Sequence, residues 1–223
     1  MCGRFTITLE PGFWQEEFAL KNTPSEWKPR YNVAPSQDVP VVTNATEREI
    51  EMMRWGLIPY WAKDESIGYK LINARSETIE QKPSYKYAFS KRRCLILADG
   101  FFEWQRAARK QTPKVPYYFQ LRDEKPFAFA GIWEIWKNAQ EKEVFSCSII
   151  TCPANEIVAP IHDRMPVLFN SSQCWKWLEE EAQATLKAML QPYPAEEMKT
   201  YPVGRWINNP KNDSAECILP LVY

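Results

Sequence analysis

The sequence predicts an α+β fold in one domain, its mostly antiparallel sheet curled on itself into a pseudo-barrel with helices at the flanks. Runs of aromatic and β-branched residues bounded by turn formers dominate the chain, which favours strands. Glycine is scarce at 7 residues and proline abundant at 18, a balance that suits ordered turns and extended segments better than long helices. The clear helical stripes fall near the two ends, outside the strand-rich centre. In chain order, Trp14 and Phe18 lie four apart behind Pro11 and predict a first helix. Strands are predicted over 52–58, 94–98, 101–106, 117–122, 127–133 and 145–151. Asp99-Gly100 between two of these runs predicts a two-residue hairpin. Trp175, Leu178, Ala182, Leu186 and Met189 keep one helical stripe behind a cap at Ser171 or Ser172.

A chain of 223 residues with 45% hydrophobic and 25% charged residues can bury one sizeable core. Its formal net charge is zero, which excludes a protein that holds nucleic acid by an overall basic field. Any such contact must come from local arginines together with base stacking. Arg4, Glu10, Glu16 and Glu17 interrupt the first twenty residues, so no secretory signal is expected. No stretch approaches the length of a membrane span, and a cytoplasmic monomer is the expectation. The six cysteines form no C-x-x-C pair and His162 is the single histidine, so neither structural zinc nor another cofactor is expected, and the thiols read as reduced.

The chain begins MCGRF. With Met1 removed, Cys2 would carry an α-amine and a thiol on one residue. An α-amine has a reference pKa of about 7.7–8.0 against about 10.4 for lysine, so far more of it is neutral and nucleophilic at pH 7. Such an amine attacks an aldehyde to give an imine, and the neighbouring thiol can add to the imine carbon and close a five-membered thiazolidine.

Three other segments carry chemistry. In LINARSET, Asn73, Arg75 and Glu77 alternate with Ile72, Ala74 and Ser76, so that Asn73 can hydrogen-bond an amine or carbonyl while Arg75 grips a phosphate. In ADGFFEWQ, strand alternation puts Glu103 on the same face as Phe101 and Gln105, and an aromatic neighbour raises a carboxyl pKa toward that of a general acid at neutral pH. In APIHDRMP, a proline-bounded loop sets His162 beside Asp163 and Arg164, a titratable base next to a phosphate-binding side chain. Most of the ten tryptophans belong to the core, while one or two, with Trp55 and Trp61 as candidates, could stack on bases.

MCGRF, RYNVAPSQ at 30–37, RWGLIPYWAK at 54–63, LINARSET at 71–78, RRCLILADGFFEWQ at 92–105, PIHDRMPVLF at 160–169 and VGRWINNPKNDSAECI at 203–218 occur in this order. Together they resemble the SRAP family, the SOS response-associated peptidase domain. The resemblance implies a single domain over 2–223, with Met1 removed. It also implies a sensor of abasic sites in single-stranded DNA that crosslinks itself to them through Cys2, with Asn73, Glu103 and His162 completing the site. Strand contacts implied are Arg4, Asn32, Pro35, Trp55, Trp61, Arg75, Arg164 and Met165. AP-lyase chemistry and autoproteolysis at Met1 are further implications. The departures are Ile207, where valine is common, and the insert at 107–115. Two other functions stay open: a cysteine peptidase of N-terminal nucleophile type acting on proteins, and a non-catalytic reader of modified DNA.

Overall fold

The computed structural model describes residues 2–24, 26–105 and 114–221. The first strand, β1 (Arg4–Ile7), leads into α1 (Pro11–Phe18), which starts on its proline and buries Trp14 and Phe18 as their spacing predicts. Three strands follow, β2 (Arg30–Val33), β3 (Asp38–Thr43) and β4 (Ile50–Trp55), the last ending three residues before the predicted boundary. The short β5 (Asn73–Arg75) and α2 (Lys86–Lys91) precede β6 (Arg93–Ala98), β7 (Gly100–Trp104), β8 (Pro116–Leu121), β9 (Phe127–Lys137) and β10 (Glu143–Pro153). The C-terminal part holds β11 (Arg164–Pro166), β12 (Leu168–Phe169), α3 (Ser171–Leu178), α4 (Gln183–Ala188) and β13 (Met198–Pro202). Arg106, the predicted end of β7's run, and residues 107–113 of the insert lie outside the described residues.

β4, β3, β6, β9 and β10 pair in that order, and β10 pairs back onto β4, so five strands close a barrel. Closure leaves these five with no open edge along the ring. Within the ring only the β10–β4 pair is parallel; β5 adds a second parallel pairing on β10. β13, β8, β7, β1 and β2 form a separate five-stranded antiparallel sheet. Aromatic rings join the two layers. Phe5 of β1 meets Trp55 edge-on at 5.0 Å and Phe129 at 5.4 Å, and Phe101 of β7 meets Phe129 at 6.3 Å.

The hairpin predicted at Asp99-Gly100 does not form. β6 belongs to the barrel and β7 to the other sheet, so the chain changes layer at this point. The carboxylate of Asp99 shows why: it accepts bonds from Thr6 Oγ1 at 2.5 Å, from Thr8 Oγ1 and the Leu9 amide at 2.9 Å each, and from the Thr8 amide. Those donors lie at the far end of β1, and they fix β1 beside β7 instead of folding β7 onto β6. Glycine is required at position 100, where a Cβ would lie 2.1 Å from the Tyr118 hydroxyl.

The predicted single helix over 175–189 is also two. α3 ends where Glu179 turns extended, and α4 starts at Gln183. Three consecutive glutamates, 179–181, at a helix C-terminus oppose its dipole, and Arg93 takes the freed carbonyls of Trp177 at 2.8 Å and Glu179 at 2.7 Å. The cap is Asn170, whose side chain accepts the Gln173 amide, with Ser171 and Ser172 already inside the helix.

Candidate active site

Cys2 precedes β1 and is wholly buried. The β1–β7 register pairs Arg4 with Phe102, and continuing it by one residue sets Gly3 opposite Glu103. Glu103 therefore stands across a strand pair from the segment that carries Cys2. It is 2% exposed, and burial pushes its carboxyl up to about 7, with the Trp104 amide opposing the shift and the charge of Asp163 adding to it. The upward shift has the direction anticipated from an aromatic neighbour, and Phe101, on the same strand face, is buried. Burial and then the Glu103 charge push the Cys2 thiol well above its ordinary range, so it rests protonated.

The second half of the site comes from the barrel. β5 lies parallel to β10 with Asn73 beside Ile149; Asn73 is buried and Arg75, two residues on, is exposed. Asn73 Nδ2 donates to the Cys2 carbonyl at 2.8 Å, bridging the two layers. Its Oδ1 is buried and has no hydrogen-bond partner among the described residues. Tyr85 donates its hydroxyl to the Asn73 carbonyl at 3.0 Å, fixing the backbone from behind. No sequence signal pointed to Tyr85, whose spacing fits a core residue equally well.

His162 closes the turn before β11. Its Nδ1 accepts the Arg164 amide at 3.0 Å and lies 3.2 Å from Asp163 Oδ1, so one neighbour serves the neutral ring and the other the cation. The charge of Asp163, next to His162 in sequence, adds to the upward shift of Glu103. Cys2, Asn73 and Glu103, scattered over 101 positions of sequence, come together where the two layers meet. Among the described residues no group of three or more His, Cys, Asp or Glu is placed to hold a metal ion.

A family model described as SOS response associated peptidase (SRAP) matches residues 1–210. The chain belongs to the SRAP family. This SRAP chain is 42% identical over 223 residues to the abasic site processing protein YoqW of Bacillus subtilis (strain 168), across 98% of the chain and 99% of that protein. It is 30% identical over 264 residues to the abasic site processing protein HMCES of Xenopus tropicalis, across 100% of the chain and 79% of that protein. Its fold is similar to the crystal structure of a protein from Bacteroides thetaiotaomicron, with a TM-score of 0.88, 26% identity, and coverage of 99% and 100% of the two chains.

The SRAP residues expected to touch a DNA strand fall into three groups. Arg75 and Trp61 are exposed and Pro35 is half-buried, so a ligand can reach them. Trp55, Met165 and Asn32 are buried and need correction, whereas Arg4 and Arg164 are half-buried and also hold partners within the protein. Trp55 is fully buried, bonded through Nε1 to the Ile72 carbonyl and packed on Phe5, and is a core residue instead of a stacking surface. Met165 is fully buried, and its sulfur receives the Asn155 amide. Asn32, also buried, spends its amide on the carbonyls of Ile207, Asn209 and Asn212, and so ties the 203–218 segment to β2. Arg4 reinforces that tie through Asn32 Oδ1 at 2.7 Å and the Ile207 carbonyl at 2.8 Å. Arg164 forks onto Glu77 at 2.5 and 3.0 Å and onto the Thr151 carbonyl at 2.6 Å, so this guanidinium is already occupied by a carboxylate.

Proposed function

We infer that this protein senses abasic sites in single-stranded DNA and caps them by a covalent thiazolidine link through Cys2 once Met1 is removed. The names of its SRAP relatives support abasic-site processing. The amide of Asn73 carries the chemical part. Its donor holds the Cys2 carbonyl, and its buried acceptor has no partner among the described residues, which suits an amine on the same residue.

The reaction needs an acid, a base and no external oxidant. An abasic sugar rests mainly as a closed hemiacetal. Glu103, with a pKa near neutrality, can protonate the ring oxygen and take the proton of the C1′ hydroxyl, opening the aldehyde. The Cys2 amine adds to C1′ and water leaves, giving the imine. His162, furnished with a partner in either protonation state, holds the freed sugar hydroxyl or the adjacent phosphate. The thiol sulfur then bonds to C1′ as its proton passes to nitrogen, with Glu103 as relay. A thiol that rests protonated favours this order, amine first and sulfur second, over a peptidase that begins with a thiolate. If the thiol does not add, the imine stays open to β-elimination, which is the lyase activity. Self-cleavage of Met1 and removal by a cellular aminopeptidase are both compatible with the site.

Intact mass after incubation with single-stranded DNA bearing one abasic site tests the reading. The expected product is the Met1-less chain plus the DNA less one water. A protein that binds the strand but gains no mass would overturn it. Cys2→Ser is expected to give a borohydride-reducible imine and more strand scission in place of a heat-stable adduct.

A further inference from the structure

The segment from Gln81 to Arg93, QKPSYKYAFSKRR, holds five basic residues and no acidic one, in a chain whose charges balance only when it is included. It begins as a helical turn, with the Lys86 amide bonded to the Lys82 carbonyl, and continues as α2. Tyr85, Ala88 and Phe89 are buried, which turns Lys82, Lys86, Tyr87 and Lys91 to solvent. Tyr87, 49% exposed, meets Tyr60, 61% exposed, edge-to-face at 6.1 Å. Next to Tyr60 stand Trp61, 47% exposed, and the exposed Lys63. Arg92 backs the patch, its guanidinium 5.2 Å from the Tyr87 ring and paired with the buried Glu134.

Two features make this a platform in place of a loose surface. The loop under Tyr60 and Trp61 is tied to the barrel by Gly56 N–H to the Cys147 carbonyl at 2.9 Å, by Ile58 N–H to Ser146 Oγ at 2.8 Å, and by Trp136 Nε1 to the Ala62 carbonyl at 2.8 Å. It is also adjacent to the reactive centre, because Tyr85, which fixes the Asn73 carbonyl, immediately precedes Lys86 and Tyr87. Exposed aromatic rings set among cations of one sign match the chemistry of a single nucleic-acid strand, which offers base faces and a line of phosphates. A protein partner would have to cover three lysines without an acid on this element to offset them.

We propose that the α2 face, with Lys82, Lys86 and Lys91 around the Tyr60–Tyr87 pair, extends the strand surface expected at Trp61 into a second DNA-binding surface that carries the single strand leaving the site. The lysines take phosphates and the rings take a flanking base. This rests on the reading of a single-stranded DNA substrate given above. It adds α2 to the half-buried Arg4 and Arg164, whose guanidinium groups also bond to neighbours in the protein.

The test uses an unmodified single-stranded oligonucleotide, so that it does not depend on adduct formation. Its affinity is measured by fluorescence anisotropy from 50 to 300 mM salt. Replacing the three exposed lysines together, Lys82→Glu, Lys86→Glu and Lys91→Glu, is expected to weaken binding more than tenfold at low salt. It should also flatten the log-log salt slope by about 2, since each phosphate contact on a single strand contributes roughly 0.7. Tyr60→Ala with Tyr87→Ala is expected to weaken binding about tenfold and leave the slope unchanged, the signature of lost stacking. Affinities within twofold of wild type for both folded variants, with unaltered slopes, would overturn the proposal. If wild-type protein binds this oligonucleotide through α2 yet gains no mass on an abasic strand, the crosslinking reading fails while the surface stands.

Discussion

Glu103 ties the chemistry of the site to the stability of the fold. A carboxyl with a native pKa of about 7 and an unfolded value lower down is favoured in its protonated form. Its contribution to stability is complete below the unfolded value and is lost as pH rises through 7, a change of about 3 kcal/mol. Glu103→Gln cannot ionise. Its melting temperature at pH 8 should therefore exceed that of the wild type, and the difference should shrink toward pH 4, while adduct formation collapses. Thermal melts across pH 4–8 check this, and a variant no more stable than wild type at pH 8 would refute the buried-acid account.

The raised pKa of Glu103 was legible because the sequence places it between aromatic residues, and desolvation follows from their burial. Residue types in the other blocks did not say which way a side chain faces. Trp55 and Trp61 lie in one block six residues apart, yet the first is inside the barrel wall and the second is outside. Asn32, Arg4 and Arg164 read as ligands for a strand because amide and guanidinium groups serve external and internal acceptors equally well. The fold supplies internal acceptors to all three, the Ile207 and Thr151 carbonyls and the Glu77 carboxylate among them, and only Asn32 is fully buried by it.

At the level of elements, the turn between β6 and β7 shows where local chemistry and topology part. Asp-Gly is a strong hairpin signal, but the signal concerns two residues, whereas the outcome depends on donors ninety or more positions away, in β1 and just after it. Removing the carboxylate should expose that dependence. Asp99→Ala leaves the Thr8 and Leu9 amides without their acceptor and is expected to cost about 3 kcal/mol, at 1–3 kcal/mol for each buried donor left unmet. Because β1 brings Cys2 to the site, the adduct yield of the folded fraction should fall as well. Urea denaturation with parallel adduct assays measures both, and a loss below about 1 kcal/mol would mean the strand is held by its ladder alone. The split of the C-terminal helix was foreshadowed by its glutamate run, whereas the role of Arg93 in capping it was not, since Arg93 is remote in sequence.

For the whole molecule, the curled, mostly antiparallel architecture was legible from strand-rich patterning, but ring closure was not, because the pairing of β10 with β4 is long-range and parallel. Closure makes the five ring strands the most strongly interconnected part of the fold. Amide hydrogen exchange should be slowest in β6 and β9, each paired on both sides, and faster in β2 and β13 at the margins of the other sheet. Uniform protection across both layers would contradict this ordering.

The reactive machinery is divided along that same boundary: Cys2 and Glu103 ride on the open sheet, Asn73 and His162 on or beside strands that pair with β10 of the ring, and the bond from Asn73 to Cys2 spans the gap. Such a border is a fault line. A slip of one slab against the other by a fraction of a strand spacing would part donor from acceptor while every ladder within each slab stayed zipped. Warming should therefore silence the protein before it melts, and a crosslinking midpoint several degrees below the calorimetric one would be the mark of that slip.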